Sequence, residues 1–327
     1  MSELLICELC PRLCVIPEGA SGDCRIRVNL DGKLYATTYG RPSAIHVDPI
    51  EKKPLFHFFP GTPIFSIATA GCNLHCANCQ NWQLSQAGGH EMDVVYRAEP
   101  ADVVRTAVAE GCRAIAYTYS EPLVFFEYTR DTAVLARQAG LRNVLVTAGF
   151  VNKPPLRALC QVLDGVTADI KSFDDQFYRR NCGGWLGPVL EALVTIRREG
   201  VWLEVSNLVI PTLTDDLASI RRLSRWICTE LGAGTPLHFL RFRPQYKMRN
   251  LPPTPAETLE NARKEAMEAG LEYVYIGNVA GHDSECTRCP RDGTMLVRRV
   301  GYQVVEIGVK EGRCPTCGHE VPGRWVG

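Results

Sequence analysis

The stretch Ile64-Phe65-Ser66-Ile67-Ala68-Thr69-Ala70-Gly71-Cys72-Asn73-Leu74-His75-Cys76-Ala77-Asn78-Cys79 decides how this chain is read. Ile64–Ala70 is a short, mostly apolar run of the kind that becomes a buried strand. It breaks at Gly71, and three cysteines follow within eight residues in the spacing C-x3-C-x2-C. Three thiolates on so short a loop can cap three corners of a [4Fe–4S] cube and leave the fourth iron without a protein ligand. A small molecule with a free amino and carboxylate group can chelate an iron left open in this way. Zinc is the alternative, held by the three thiolates with a distant fourth ligand or with His75 from inside the loop.

Working outward from that loop, short apolar runs alternate with helical periodicity. The strand candidates are Ile64–Ala70, Ala114–Thr118, Asn143–Thr147, Val166–Ile170, Trp202–Ile210 and Leu237–Phe242. The helix candidates between and after them are Ala101–Glu110, Leu123–Gln138, Leu156–Leu163, Val189–Arg198, Asp216–Glu230 and Pro255–Ala269. Gly111, Gly140, Gly200 and Gly270 stand just past helical stretches, where a C-terminal glycine belongs. Six strand–helix repeats imply an α/β fold with a parallel sheet, open or curved into a full or partial barrel. Chemistry is then expected at the carboxyl ends of the strands. The division expected is a Cys-rich region over 1–60, the repeats over 61–280 and a small appendix over 281–327. In the appendix, Met295–Arg299 and Tyr302–Ile307 read as a hairpin turning at Val300-Gly301.

Of 15 cysteines, eleven fall into three clusters: Cys7, Cys10, Cys14, Cys24; Cys72, Cys76, Cys79; and Cys286, Cys289, Cys314, Cys317. The N-terminus lacks a basic segment followed by a long apolar stretch, so a cytoplasmic, reducing setting is expected. Clustered cysteines there bind metal more often than they form disulfides. Cys112, Cys160, Cys182 and Cys228 stand singly and read as buried small hydrophobes. Lys+Arg and Asp+Glu are 36 each, which argues against a nucleic-acid binder held by phosphate contacts. No apolar run is long enough to span a bilayer.

The chain resembles the radical S-adenosylmethionine (SAM) superfamily, and within it the radical SAM member of the AmmeMemoRadiSam system, close to the glycyl-radical-enzyme (pyruvate formate-lyase) activases. The residues that carry the resemblance are the cluster loop with Gln80-Asn81, Cys7-Glu8-Leu9-Cys10-Pro11, Gly22-Asp23-Cys24-Arg25 and Asp48-Pro49-Ile50-Glu51-Lys52-Lys53-Pro54-Leu55. Tyr117-Thr118-Tyr119-Ser120-Glu121-Pro122, Ala168-Asp169-Ile170-Lys171, Leu208-Val209-Ile210-Pro211 and the C-terminal Cys-x-x-Cys pairs complete it. The resemblance implies a partial (β/α)6 barrel. It also implies an enzyme whose reduced [4Fe–4S] cluster donates an electron to SAM, giving methionine and a 5′-deoxyadenosyl radical that abstracts hydrogen from a substrate. Implied partners are a reductant such as flavodoxin or ferredoxin and the companion proteins of the system, with no membrane. Two departures stand out. Asn78 replaces the aromatic residue common before the third cysteine, leaving Trp82 as a substitute near the adenine. Tyr119-Ser120-Glu121 replaces Gly-Gly-Glu, so Glu121 is carried over toward the methionine amino group without the two glycines.

Asp169 and Lys171 share a strand face with Thr167. The resemblance puts them near SAM and the substrate entry; a mutual ion pair at a strand tip is the alternative. Val146 stands before Thr147 where cation-holding activases carry Asp, so no cation site is expected there. Glu204 shares a face with Ser206 and is a candidate for ribose hydroxyls or a substrate cation, or else a partner for Arg241. Asn207 is a ribose-contact candidate. His238 is either a functional group or a satisfied core histidine. Arg243 is a candidate for gripping a substrate carboxylate bidentately.

Cys286, Cys289, Cys314 and Cys317 read as a closed tetrahedral zinc ribbon, with rubredoxin-type iron as the alternative and His319 as an outside candidate. Cys7, Cys10, Cys14 and Cys24 suit zinc or an auxiliary [4Fe–4S] cluster. Two other functions compete with the radical enzyme of unidentified substrate: an activase that takes hydrogen from a partner protein's glycine, and a non-catalytic zinc-scaffolded binding module.

Overall fold

The computed structural model describes residues 4–93, 95–279 and 281–325. Its central sheet contains β1 (Ala44–Pro49), β2 (Pro63–Ala68), β3 (Ala114–Tyr117), β4 (Arg142–Thr147), β5 (Gly165–Asp169), β6 (Trp202–Val209), β7 (Leu237–Arg241) and β8 (Val274–Gly277), neighbours in that order. β1 runs antiparallel to β2, and all later neighbours are parallel. Helices α1 (Pro100–Ala109), α2 (Phe126–Gln138), α3 (Lys153–Cys160), α4 (Leu186–Arg198), α5 (Leu217–Glu230) and α6 (Ala256–Glu268) are the crossovers after β2 to β7. The six expected repeats are present, and β1 and β8 lengthen the sheet at its two edges. α3 starts three residues before the expected Leu156, because Pro154 and Pro155 lie in its first turn, where a missing N–H costs nothing. Asp216 is not the first helical residue of α5 but its cap, accepting from Ser219 N at 2.8 Å.

The helices bury their apolar stripes on the outer face of the sheet, in a core that runs through Val103, Phe125, Leu159, Leu193, Leu223 and Leu259. The inner face encloses a lumen that is filled in layers. At one end, Ile50, Leu55 and Phe58 pack with Ile64, Ala114, Ala116, Val144 and Trp202. Residues 50–59 are therefore a plug drawn in from the loop between β1 and β2. Glu204 anchors the plug, accepting from Phe56 N at 3.0 Å and His57 N at 2.8 Å, and Thr167 Oγ1 donates to Lys53 O at 2.5 Å. The other end of the lumen, at the strands' carboxyl ends, stays open.

The chain ends in a three-stranded antiparallel ribbon, β9 (Thr287–Arg288), β10 (Met295–Val300) and β11 (Gln303–Ile307). It seals the β8 edge through Phe56, Tyr273, Tyr275, Leu296 and Val321. Arg299 reaches from β10 into the barrel. Its guanidinium lies 4.2 Å over the Phe56 ring, donates to Phe56 O at 2.6 Å and sits 3.6 Å from Glu51, with both charges fully buried. A paired charge at such depth is tolerated where neither partner alone would be. In the N-terminal region, Leu5–Ile6 pairs with Val15–Ile16 and Arg27–Leu30 with Lys33–Ala36. No described helix is long and apolar enough to cross a membrane.

Candidate active site

The loop after β2 owes its path to Gly71, whose φ of +97° and close neighbours (Ile26 Cγ2 and Cys24 O within 2.8 Å of where a Cβ would stand) exclude any side chain. His75 N and Ala77 N donate to Cys182 O and Asn181 O, each at 2.7 Å, so the irregular turn Tyr178–Cys182 holds the loop from behind. Cys72, Cys76 and Cys79 all face one cavity of about 380 Å³ at the carboxyl edge of the sheet. Burial pushes the Cys72 and Cys79 thiols up, so a bare thiolate there is costly and a metal-bound one is not. Cys76 is the exception. The Cys182 thiol donates to it and, against the effect of burial, brings it down to about 7, with Lys171 adding to the effect. Leu74 N approaches Cys72 Sγ at 3.4 Å and Ser85 Oγ lies 3.2 Å from Cys79 Sγ, so each sulfur has a polar neighbour.

Glu121, Asp169, Lys171, Ser206 and His238 line the same cavity, with Asn78 and Leu240. Glu121 is buried and accepts from Thr147 Oγ1 at 2.7 Å and Ala148 N at 2.8 Å. Burial nevertheless raises its carboxyl above the usual range. Lys171 Nζ lies 2.5 Å from Asp169, whose other oxygen accepts from Ser206 Oγ. The mutual ion pair is thus present, and it forms part of the cavity wall. Burial works against the Lys171 charge, but the charges of Asp169 and Cys76 outweigh it and hold the ammonium protonated.

Other candidates lie elsewhere. Glu204 is completely buried below the cavity, and its carboxylate is spent on four donors: Phe56 N, His57 N, Trp202 Nε1 at 3.1 Å and His238 Nε2 at 2.7 Å. It is neither free for ribose hydroxyls nor paired with Arg241, which donates to Thr254 O instead. His238 borders the cavity with its ring fixed by Glu204 and stacked on Tyr275. Asn207 is on the opposite strand face, donating to Ile170 O at 2.8 Å, outside the cavity. Arg243 is exposed and does not line the cavity. Trp82 stacks on Tyr246, with centroids 5.0 Å apart, rather than facing the cavity. His75 bonds Asp23 and Gln86, each at 2.7 Å, which occupies both ring nitrogens and removes it as a zinc ligand for the loop.

Two groups escaped the reading of residues. Lys53 lines the cavity from the plug, 2.6 Å from Asp48 and 4.4 Å above the Tyr119 ring, and burial lowers its ammonium to about 8. Its signal in the sequence is the charged run Asp48 to Lys53. Cys182, read as a lone hydrophobe, touches Cys76, and nothing in its neighbourhood announced that.

The four N-terminal cysteines line one small enclosed chamber with Arg12, Arg27 and Asn73. The chamber backs directly onto the cluster loop: Arg12 Nε donates to Asn73 O at 2.8 Å, and Cys24 O faces Gly71. Burial pushes the Cys24 thiol up to about 11. In the ribbon, Cys289, Cys314 and Cys317 converge within 4.8 Å with Asp292, not with Cys286.

The open cavity suits the cofactors that the cysteine spacing suggests. It joins three thiols to ammonium and carboxylate groups, and the buried Asn78 Oδ1 within it has no partner. The model of the radical SAM superfamily matches residues 66–223. An uncharacterized protein of Methanocaldococcus jannaschii is 45% identical over 318 residues, covering 96% of this chain and 94% of its own. The pyruvate formate-lyase 1-activating enzyme of Escherichia coli is 23% identical over 221 residues, 63% of this chain and 89% of its own. Among solved structures, a radical SAM methyltransferase from Sphaerobacter thermophilus shares the fold with a TM-score of 0.50 at 14% identity, over 68% of each chain. With the superfamily's model matched over residues 66–223 and its three-cysteine loop at the mouth of the barrel, this chain belongs to the radical SAM superfamily, as an enzyme related to the pyruvate formate-lyase-activating enzymes.

Proposed function

We propose that this enzyme cleaves SAM reductively and uses the resulting radical on a substrate admitted to the open end of the barrel. The observation that carries the reading is the meeting of Cys72, Cys76 and Cys79 with Glu121, Asp169 and Lys171 around one cavity. When bound, the [4Fe–4S] cluster supplies the electron that breaks a C–S bond of SAM, giving methionine and a 5′-deoxyadenosyl radical. Cys72, Cys76 and Cys79 are the residues to hold it. Lys171, kept charged by Asp169, offers a cation to a carboxylate. Glu121 offers a carboxylate to an ammonium, so the wall carries both complements of an amino-acid chelator. The plug and the ribbon close the lumen below, shielding a reactive carbon from water.

The reductant is of the flavodoxin or ferredoxin class. The N-terminal thiols hold zinc or an auxiliary cluster, and their position behind the cluster loop favours electron relay. A second reading, activation of a partner protein's glycine or of a companion protein of the AmmeMemoRadiSam system, draws on the similarity to activating enzymes. Anaerobic incubation of cluster-loaded protein with dithionite and SAM tests the common core of both. The expected products are 5′-deoxyadenosine and methionine by HPLC. No 5′-deoxyadenosine above an enzyme-free control, from protein with a full cluster, overturns it.

A further inference from the structure

The ribbon contains two short turns of the same pattern, Cys289-Pro290-Arg291-Asp292-Gly293 and Cys314-Pro315-Thr316-Cys317-Gly318. Their backbones match bond for bond. Cys289 N donates to Thr294 O at 2.9 Å, and Cys314 N donates to His319 O at 2.9 Å. Gly293 N returns to Cys289 O at 2.9 Å, and Gly318 N to Cys314 O at 3.0 Å. Both glycines are left-handed, with φ of 74° and 72°. Asp292 therefore occupies in the first turn the place Cys317 occupies in the second.

The side chains follow the backbone. Cys289 Sγ and Cys317 Sγ are 3.6 Å apart, and Cys314 Sγ lies 3.6 Å from Asp292 Oδ2. A tetrahedral zinc with thiolates at about 2.3 Å places its ligands roughly 3.8 Å apart, so these separations are edges of one coordination tetrahedron. Asp292 is oriented by Thr294 N, which donates to its Oδ1 at 3.0 Å. Cys286 is engaged elsewhere: its sulfur accepts from Arg299 N at 3.4 Å and lies 3.6 Å from Arg299 O. We infer that the ribbon binds one divalent metal, zinc by ligand chemistry, through Cys289, Asp292, Cys314 and Cys317, with Cys286 a strand residue and not a ligand.

The site has a reach beyond the ribbon. The metal ties both turns to the β10–β11 hairpin, which carries Arg299 to Glu51 and Tyr302 to the active-site cavity. Occupancy of the site thus supports one wall of the substrate space. A carboxylate in place of a fourth thiolate also makes the site less selective for zinc over harder divalent ions.

The test uses the full chain, zinc as the probe, metal analysis and zinc-edge X-ray absorption. Asp292→Ala should lose one equivalent of zinc, Cys286→Ser should lose none, and Asp292→Cys should keep zinc while gaining one sulfur in the coordination shell. Each variant's far-UV circular dichroism and iron content check that the barrel has folded. Loss of zinc from Cys286→Ser, or full retention by Asp292→Ala, would overturn the assignment. So would an unchanged sulfur count in Asp292→Cys.

Discussion

At the end of β2, three thiols look into a cavity of about 380 Å³, with lysines and carboxylates on its other walls. In the ribbon, three thiols and Asp292 look only at one another, within 4.8 Å. The two sites share a ligand type and differ in what surrounds it. A set that leaves room beside it can bind something further on the metal; a set that closes on itself can only staple the chain. The fold puts the open set where a barrel keeps its chemistry and the closed one where a short ribbon cannot build a core of its own.

Replacing Cys72, Cys76 and Cys79 together by Ala breaks the comparison most severely. The variant should lose the EPR signal of the reduced cluster and all SAM cleavage while keeping the zinc proposed for the ribbon, which metal analysis checks. The next effect is structural. Glu51→Ala strands the buried Arg299 charge, and urea unfolding should show a loss of about 3–5 kcal/mol, with the cluster still assembled.

Acid should separate the ribbon's seat from the open site. His57 is fully buried, receives Tyr275 Oη and donates from Nδ1 to Pro322 O at 2.7 Å, and burial depresses its pKa to about 4. Between pH 6.5 and 4 the unfolded chain binds the proton that the folded one refuses. Stability should therefore fall as pH drops through that window, by on the order of 3 kcal/mol, and His57→Gln should flatten the profile. The smallest effect is Lys171→Ala. Removing one charge-assisted contact should weaken SAM binding by about 1.5–3 kcal/mol, roughly ten- to a hundredfold, in calorimetry on cluster-loaded protein.

Much of this was legible in the chain because its signals are local. The six repeats showed in periodicity, and the cluster loop in spacing over eight residues. β8 escaped because Val274–Gly277 is four residues long, with no polar–apolar alternation to mark it. What could not be read was set by partners far along the sequence. Glu204 looked like an inward carboxylate ready for a ligand, but its donors at Phe56 and His57 are 148 and 147 residues away. Lys53 needed the plug to fold into the lumen before it reached the cavity. In the ribbon, cysteine spacing favoured Cys286, whereas the repeated Cys-Pro-x-x-Gly turn pointed to Asp292 once its backbone was seen.

The claim that ties the two sites together is that the central set leaves a coordination position open to SAM. EPR of the dithionite-reduced, fully loaded protein, recorded with and without SAM, tests it most directly. The account predicts that SAM shifts the g values of the Cys72–Cys76–Cys79 cluster, and that the shift is weakened in Lys171→Ala. An identical spectrum with saturating SAM, from a cluster at full occupancy, would contradict it.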